Sequence, residues 1–248
     1  IVPIDSEHFS ISNLIKNYRS IEINKIYLTA SGGPFLNYNY DKLKEVKPYE
    51  ALRHPKWKMG KKISIDSSTL MNKILELIEA QKLFQLNIKK FEILIHPDSL
   101  VHAIVDFKNG LKKFVYHETS MIIPIANAIY DGKLDIQKFR KAKKKNKIEN
   151  LIFQKVNKKI FPVIKLKNRL DEHPSTSIII NAVNEIFVDQ FLKQKVPFLS
   201  VNKIIMAILN DRKYNKYAIQ IPRNINHIIK IDTWARNRTL EIIKKKYE

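Results

Sequence analysis

The 248 residues contain no cysteine, which excludes disulfides, thiolate nucleophiles and every sulfur-ligated metal site. Glycine is scarce as well. The five glycines, Gly32, Gly33, Gly60, Gly110 and Gly132, have no spacing that makes G-x-G-x-x-G or a Walker loop, so the chain carries neither kind of glycine-rich nucleotide cradle. Apolar runs are short: a stretch such as Met121 to Ala126 falls far below the roughly 20 residues that span a bilayer. No signal-peptide pattern opens the chain. It begins without methionine on Ile1-Val2-Pro3-Ile4, which reads as a strand, and we take the sequence to be a piece of something longer.

The residues that are present describe a folded chain. Hydrophobic residues make up 44% and charged residues 28%, enough for one large domain or two modest ones with a proper core. The 45 Lys+Arg against 24 Asp+Glu give a formal charge of +21, which would suit nucleic acid, an anionic surface or an anionic small substrate. Ile, Asn and Lys are abundant everywhere, however, as codon drift in an AT-rich genome produces, so most of this charge reads as solvated surface. The one dense cluster, Arg140, Lys141, Lys143, Lys144, Lys145 and Lys147, has no interleaved aromatics to stack on bases and reads as an exposed linker.

The first half alternates strand and helix signals. Asn24 to Thr29 reads as a strand ending in the turn Ser31-Gly32-Gly33-Pro34, and Ile63 to Ile65 as a short strand. Asp66-Ser67-Ser68-Thr69 offers N-caps for a helix running to about Phe84. Phe91 to Ile95 and Val101 to Phe107 read as strands, and Asn109-Gly110 turns the chain into a third, Leu111 to Tyr116. Helix-period apolar residues then mark Ile122 to Tyr130, Ser177 to Lys193, Val201 to Asn210 and Ile225 to Lys246. The expected fold class is α/β, an α+β catalytic domain with a mixed sheet at 1–132. A basic linker is expected at 133–160 and a C-terminal α-helical bundle domain at 161–248.

Three clusters bear chemistry. In Asp5-Ser6-Glu7-His8, strand alternation would put two carboxylates on one face at a strand end, where α/β ligands gather and where a third carboxylate would complete a hard-cation site. The alternative is a helix N-cap, Asp5 or Ser6 capping a helix that starts near Glu7. In the second cluster, Asn72, Lys73 and Glu76 share one face of a helix whose N-terminus, with nearby hydroxyls, suits a phosphate. Its plain reading is an exposed Lys73–Glu76 ion pair worth ~0.3–0.5 kcal/mol. The third, Arg53-His54-Pro55-Lys56-Trp57-Lys58-Met59-Gly60, is a loop that displays Trp57 and Met59, either as an apolar lid over a polar substrate or as a loop packed on the body. His96 and His102 read as structural.

Six strings together resemble the 1-deoxy-D-xylulose-5-phosphate reductoisomerase family. They are Pro3-Ile4-Asp5-Ser6-Glu7-His8, the run L-T-A-S-G-G-P-F at 28–35, H-P-K-W-K-M-G at 54–60, I-D-S-S-T-L-M-N-K-I-L-E-L-I-E-A at 65–80, I-H-P-D-S-L-V-H at 95–102 and, more weakly, I-N-A-V-N-E at 180–185. They occur in the family's order and cover the chain almost end to end. The match is to the family's catalytic and C-terminal parts; its N-terminal Rossmann domain, with the glycine fingerprint, has no counterpart here.

The resemblance implies Asp5, Glu7 and Glu76 as ligands of Mg²⁺ or Mn²⁺ and, with His54, as the catalytic set. It implies Ser6 on the substrate backbone, Ser31, Ser67, Asn72 and Lys73 as the phosphate pocket with His54 beside it, Trp57 and Met59 as the lid, and Gly60 approaching the nicotinamide of NADPH. The implied activity is conversion of a phosphosugar, 1-deoxy-D-xylulose 5-phosphate, to 2-C-methyl-D-erythritol 4-phosphate in non-mevalonate isoprenoid biosynthesis. It also implies a cytoplasmic bacterial homodimer with no nucleic-acid or membrane partner, and a fragment that is inactive by itself. Where the family usually reads G-x-P-D-M-R-x-P, this chain has His117-Glu118-Thr119-Ser120-Met121-Ile122-Ile123-Pro124. The departure falls at one edge of the pocket and the adjoining subunit contact, and leaves the implied metal and phosphate residues intact. Two other classes compete: a basic nucleic-acid-binding module, whose affinity would fall steeply with salt, and an inactive homologue serving as a dimerisation scaffold.

Overall fold

The computed structural model describes residues 1–57, 59–136 and 151–247; Lys58 and the lysine-rich cluster from Arg140 to Lys147 lie outside them. The helices are α1 (Ser6–Ile15), α2 (Tyr40–Lys44), α3 (Pro48–Ala51), α4 (Lys61–Thr69), α5 (Met71–Phe84) and α6 (Ile122–Tyr130), then α7 (Thr176–Leu192), α8 (Ser200–Leu209), α9 (Tyr214–Ala218) and α10 (Ile225–Tyr247). The strands are β1 (Ile23–Ala30), β2 (Phe91–Ile95), β3 (Val101–Phe107), β4 (Lys112–Tyr116) and β5 (Gln154–Lys155). Residues Ile1–Ser31 and Ala80–Val156 form one compact unit, Gly32–Glu79 and Asn157–Glu248 another. These units interleave along the chain, whereas the division 1–132, 133–160 and 161–248 runs in sequence order. The chain leaves the first unit just after β1 and re-enters it along α5.

The first unit is built on a mixed sheet in the order β4-β3-β1-β2-β5. β1 and β2 pair in parallel, and the other neighbours are antiparallel. Central β1 buries Ile26 and Leu28 on one face, while Thr29 on the other sends its hydroxyl to the Val101 carbonyl at 2.5 Å. In β3 the alternate residues Val101, Ala103, Val105 and Phe107 are all buried, the period-two pattern that fixes register. Asn109-Gly110 makes the expected hairpin, with Gly110 at φ +88°, a conformation that suits glycine. α1 packs on β1, β3 and β4 through Ile11.

The second unit is helical. α7 is its centre: Ile179, Ile180, Ala182, Val183 and Phe187 are all inaccessible to solvent, and α4, α8 and α10 pack around it. Each of the larger side chains, the isoleucines, Val183 and Phe187, contributes ~1.5–3 kcal/mol. Phe198 closes one end, lying 5.0 Å from Phe35 and 5.6 Å from Phe191 between ring centres. Arg236 of α10 reaches Glu185 of α7 and also Asp232 at 2.6 Å. The α/β class, with a mixed sheet and a helical C-terminal part, is therefore as expected.

Four local expectations are corrected. Ile1–Ile4 is not a strand but exposed irregular chain leading into α1. Ile63–Ile65 is not a strand either; it lies in α4. The hydroxyls of Ser64, Ser68 and Thr69 bond back to carbonyls of Gly60 and Ile65 at 2.9, 2.7 and 3.1 Å, so these polar side chains are satisfied within a helix. Asp66–Thr69 does not open one long helix, because α4 ends at Leu70, whose φ of +66° breaks the path. Thr69 caps α5, accepting from Met71 N at 3.3 Å. Finally, the 133–160 segment is not wholly linker, since β5 extends the sheet at β2.

Candidate active site

Two groups of side chains, one in each unit, contain the acidic and cationic residues singled out from sequence. In the first unit, Asp5 has extended backbone angles and caps α1, its carboxylate accepting from Glu7 N at 3.3 Å. The N-cap alternative is thus the correct local structure, and it replaces strand alternation as the reason Asp5 and Glu7 lie together. A cap of this type contributes about 1 kcal/mol and the helix N-terminus favours both negative charges. Ser6 and Glu7 are buried, with Ser6 Oγ donating to Glu7 Oε2 at 2.5 Å. Behind them His8 is wholly buried beside Phe84.

His117 belongs to the same neighbourhood and sequence reasoning missed it. Its ring stacks on His102 at 3.9 Å and meets Phe9 edge-on. Burial pushes its pKa down to about 4, against the pull of the Glu7 carboxylate, so the imidazole is neutral near pH 7. The available signal was the departure from the family pattern, which begins at this residue. His96 and His102 make structural bonds as expected, to the carbonyls of Ile152 at 2.9 Å and His117 at 3.4 Å.

In the second unit, the break at Leu70 separates Ser67, in the last turn of α4, from Asn72 and Lys73 in the first turn of α5. Lys73 Nζ donates to both Glu76 carboxylate oxygens at 2.9 Å, and Asn72 Nδ2 donates to Oε1. The ion pair foreseen from spacing therefore exists, but it is buried rather than exposed. Four residues after Glu76, α5 passes into the first unit at Ala80.

Two loops carry the other residues singled out from sequence. Gly33 has φ +62°, and a Cβ there would sit 3.0 Å from the Ser67 carbonyl oxygen, so glycine is needed for the loop to approach α4. Ser31, half-buried, is two residues earlier at the end of β1. His54 Nδ1 accepts from the backbone N–H of Trp57 at 2.8 Å and of Lys56 at 3.2 Å, which leaves the proton on Nε2. Burial, and then the Lys73 charge, hold the His54 pKa down to about 4. Trp57 and Met59 are half-buried. Gly60 is exposed, has an ordinary φ of −65°, and has no atom within 4 Å of an added Cβ; nothing in the fold demands glycine there.

The fold and these groups describe an α/β protein with hard oxygen donors in its first unit and an ammonium with amide and hydroxyl donors in its second. Its relatives agree. Residues 1–84 match the family model described as 1-deoxy-D-xylulose 5-phosphate reductoisomerase C-terminal domain, and residues 117–238 match DXP reductoisomerase C-terminal domain. The chain belongs to the 1-deoxy-D-xylulose 5-phosphate reductoisomerase family. It is 44% identical over 239 residues to the enzyme of that name from Pelagibacter ubique, covering 94% of this chain and 60% of the relative. To the one from Clostridium botulinum it is 37% identical, covering 100% and 62%. A crystal structure of DOX-P reductoisomerase in complex with NADPH, fosmidomycin and magnesium superimposes with a TM-score of 0.87 at 31% identity, covering 100% of this chain and 65% of the other. The Zymomonas mobilis enzyme in complex with NADPH gives 0.82 at 32% identity, covering 97% and 61%. The chain thus spans about three fifths of the length of the curated relatives it matches.

Proposed function

We propose that this chain forms the catalytic and C-terminal portion of a reductoisomerase that converts 1-deoxy-D-xylulose 5-phosphate to 2-C-methyl-D-erythritol 4-phosphate, using NADPH and Mg²⁺ or Mn²⁺. The observation that carries the reading is family membership joined to an intact set of acidic and phosphate-binding residues. Asp5, Glu7 and Glu76 are the ligands in this reading. The donor chemistry fits, because three carboxylates offer only hard oxygens, which suit Mg²⁺ or Mn²⁺ and not a soft metal. When bound, the cation supplies Lewis acidity at the keto and hydroxyl oxygens of the substrate.

The chain's own residues do the rest. Lys73, Asn72, Ser31 and Ser67 hold the phosphate through charge-assisted and neutral hydrogen bonds. Lys73 is already seated on Glu76, so in this reading phosphate takes over the ammonium while Glu76 turns its charge to the cation. Ser6 orients the substrate backbone. His54, neutral with its proton on Nε2, donates a hydrogen bond without adding a full positive charge. Trp57 and Met59 cover the substrate and exclude water, and Gly60, which the fold leaves free of steric demand, lets the nicotinamide approach. The hydride chemistry is the cofactor's.

The same reading makes the protein a cytoplasmic bacterial homodimer that takes a phosphosugar and neither nucleic acid nor membrane as partner. Support for self-association is the apolar outer face of α6, where Ile122 and Ile129 are 64% and 69% exposed, a type of patch that marks interfaces. Among the described residues no helix is long and apolar enough to cross a membrane. The glycine-poor sequence has no glycine-rich pyrophosphate cradle of the Rossmann type, so in this reading the 248 residues alone bind cation and phosphorylated ligand without turnover. The test is NADPH oxidation with substrate and Mg²⁺, by these residues alone and joined to a dinucleotide-binding domain. Activity only in the joined form, abolished by chelator, is expected. Turnover by the 248 residues alone, or turnover indifferent to chelator, overturns the reading.

A further inference from the structure

The helical unit contains a cleft that the proposed reaction does not use. It lies between the end of α8, the turn leading into α9 and the middle of α10, is open to solvent and offers about 720 Å³, within the ~300–1,000 Å³ typical of small-molecule sites. None of the residues assigned above to substrate, cation or cofactor lines it.

One part of its lining is aromatic. Tyr217 of α9 and Trp234 of α10 stack 4.4 Å apart with planes 11° from parallel, an aromatic wall whose stack a further ring can extend. The remainder is charged. Arg238 binds both nearby carboxylates, Asp211 through Nε at 2.7 Å and Glu241 through Nη1 at 2.6 Å. Asp211 is further fixed by accepting from the backbone N–H of Lys213 at 2.8 Å. Arg212, Lys213 and Lys230 line the same cleft; among the described residues none of the three is held in a close ion pair, although the Lys213 charge helps hold the Asp211 carboxyl low.

In a chain of formal charge +21, three exposed cations on a convex surface would be solvated and mean nothing. Here they share a concavity with an aromatic wall, and the local acids are already taken by Arg238. Concentrated positive charge beside a flat apolar surface matches an anion that carries a planar ring. We propose that this cleft is a second ligand site, for a phosphorylated planar compound of nucleoside diphosphate size. The phosphates would meet Arg212, Lys213 and Lys230 while the ring lies against the Trp234–Tyr217 wall. A single nucleotide fits better than a polynucleotide, because a single-strand groove needs successive stacking platforms and this cleft has one.

The proposal does not depend on the reductoisomerase reading, and its test keeps the two apart. The complete protein is labelled with 5-fluorotryptophan, and the Trp234 signal is assigned with Trp234→Phe. ADP is titrated with NADPH held at saturation, so that any dinucleotide site is already filled. We expect a saturable shift of the Trp234 fluorine signal, with adenosine and inorganic phosphate each binding at least roughly tenfold more weakly. Arg212→Glu, Lys213→Glu and Lys230→Glu should each weaken ADP roughly tenfold, ~1.4 kcal/mol. These side chains are exposed and, among the described residues, in no close ion pair, and an unchanged melting temperature confirms that each variant folds. No Trp234 shift with ADP, affinity indifferent to the charge reversals, or a response to single-stranded oligonucleotide alone would each overturn the proposal.

Discussion

Lys73 Nζ sits 2.9 Å from each carboxylate oxygen of Glu76, one helical turn away, and both side chains are buried. An exposed pair at this spacing would be worth little. Buried, it is a different object: removing one partner strands an uncompensated charge and costs ~3–5 kcal/mol. The ammonium is therefore at once the counter-ion of Glu76 and, in the proposed reaction, a phosphate ligand.

Lys73→Ala should lower stability by about 3 kcal/mol in chelator, read as a urea midpoint. Adding Mg²⁺ should recover part of that loss, because a cation on Glu76 replaces the missing charge. The same variant should weaken binding of a phosphorylated substrate by ~1.5–3 kcal/mol. A purely structural Lys73 would show the stability loss with neither the rescue nor the affinity change.

The two depressed histidines give the folded state a pH dependence of fixed sign. His54 and His117 are each held down to about 4 from 6.5, in both cases chiefly by burial. Between these values the unfolded chain takes up protons that the folded chain refuses. Their contribution is complete above pH 6.5 and is lost as pH falls toward 4. Urea midpoints at pH 7 and pH 5 should differ less in His54→Gln and in His117→Gln than in the parent; an unchanged difference would contradict the burial of these rings.

Gly33 and Gly60 should behave oppositely. Gly33→Ala puts a Cβ 3.0 Å from the Ser67 carbonyl oxygen in a left-handed conformation, and should cost roughly 1–3 kcal/mol. Gly60→Ala meets nothing within 4 Å and should leave stability within about 0.5 kcal/mol of the parent. If Gly60 faces the nicotinamide, that same silent variant should raise the KM for NADPH in the complete enzyme.

Asn184 of α7 donates to the buried carboxylate of Asp66 at 2.8 Å. Burial raises the Asp66 pKa, opposed by Lys62 and Asn184. Removing this donor in Asn184→Ala should cost about 1–3 kcal/mol, measured as an unfolding midpoint. Loss of less than about 0.5 kcal/mol would mean that Lys62 alone satisfies Asp66.

Strong local chemistry made much of this legible in sequence. Asn109-Gly110 announced its hairpin, and the periodic apolar residues of α6, α7, α8 and α10 marked their helices to within a residue or two. The failures have physical causes too. Ile63-Ser64-Ile65 alternates like a strand, but its serine is satisfied by its own helix. The break between α4 and α5 falls on Leu70, a residue type that rarely adopts positive φ and so gives no warning. Asp5 and Glu7 were paired correctly for the wrong reason, since a cap rather than a strand brings them together. His117 could not be connected with Glu7 by spacing, because a contact across 110 positions is made by the sheet.

The proposed function stands on one cation shared by Asp5, Glu7 and Glu76. Its most direct measurement is Mn²⁺ affinity, by electron paramagnetic resonance of the free ion, for the parent and for Asp5→Asn, Glu7→Gln and Glu76→Gln. Each substitution removes one hard anionic donor from the same ion, so each should weaken binding roughly tenfold or more, at least ~1.4 kcal/mol. Parent-like affinity in Glu76→Gln alongside loss in the other two would show that Glu76 does not share the ion, and the site as drawn would be wrong.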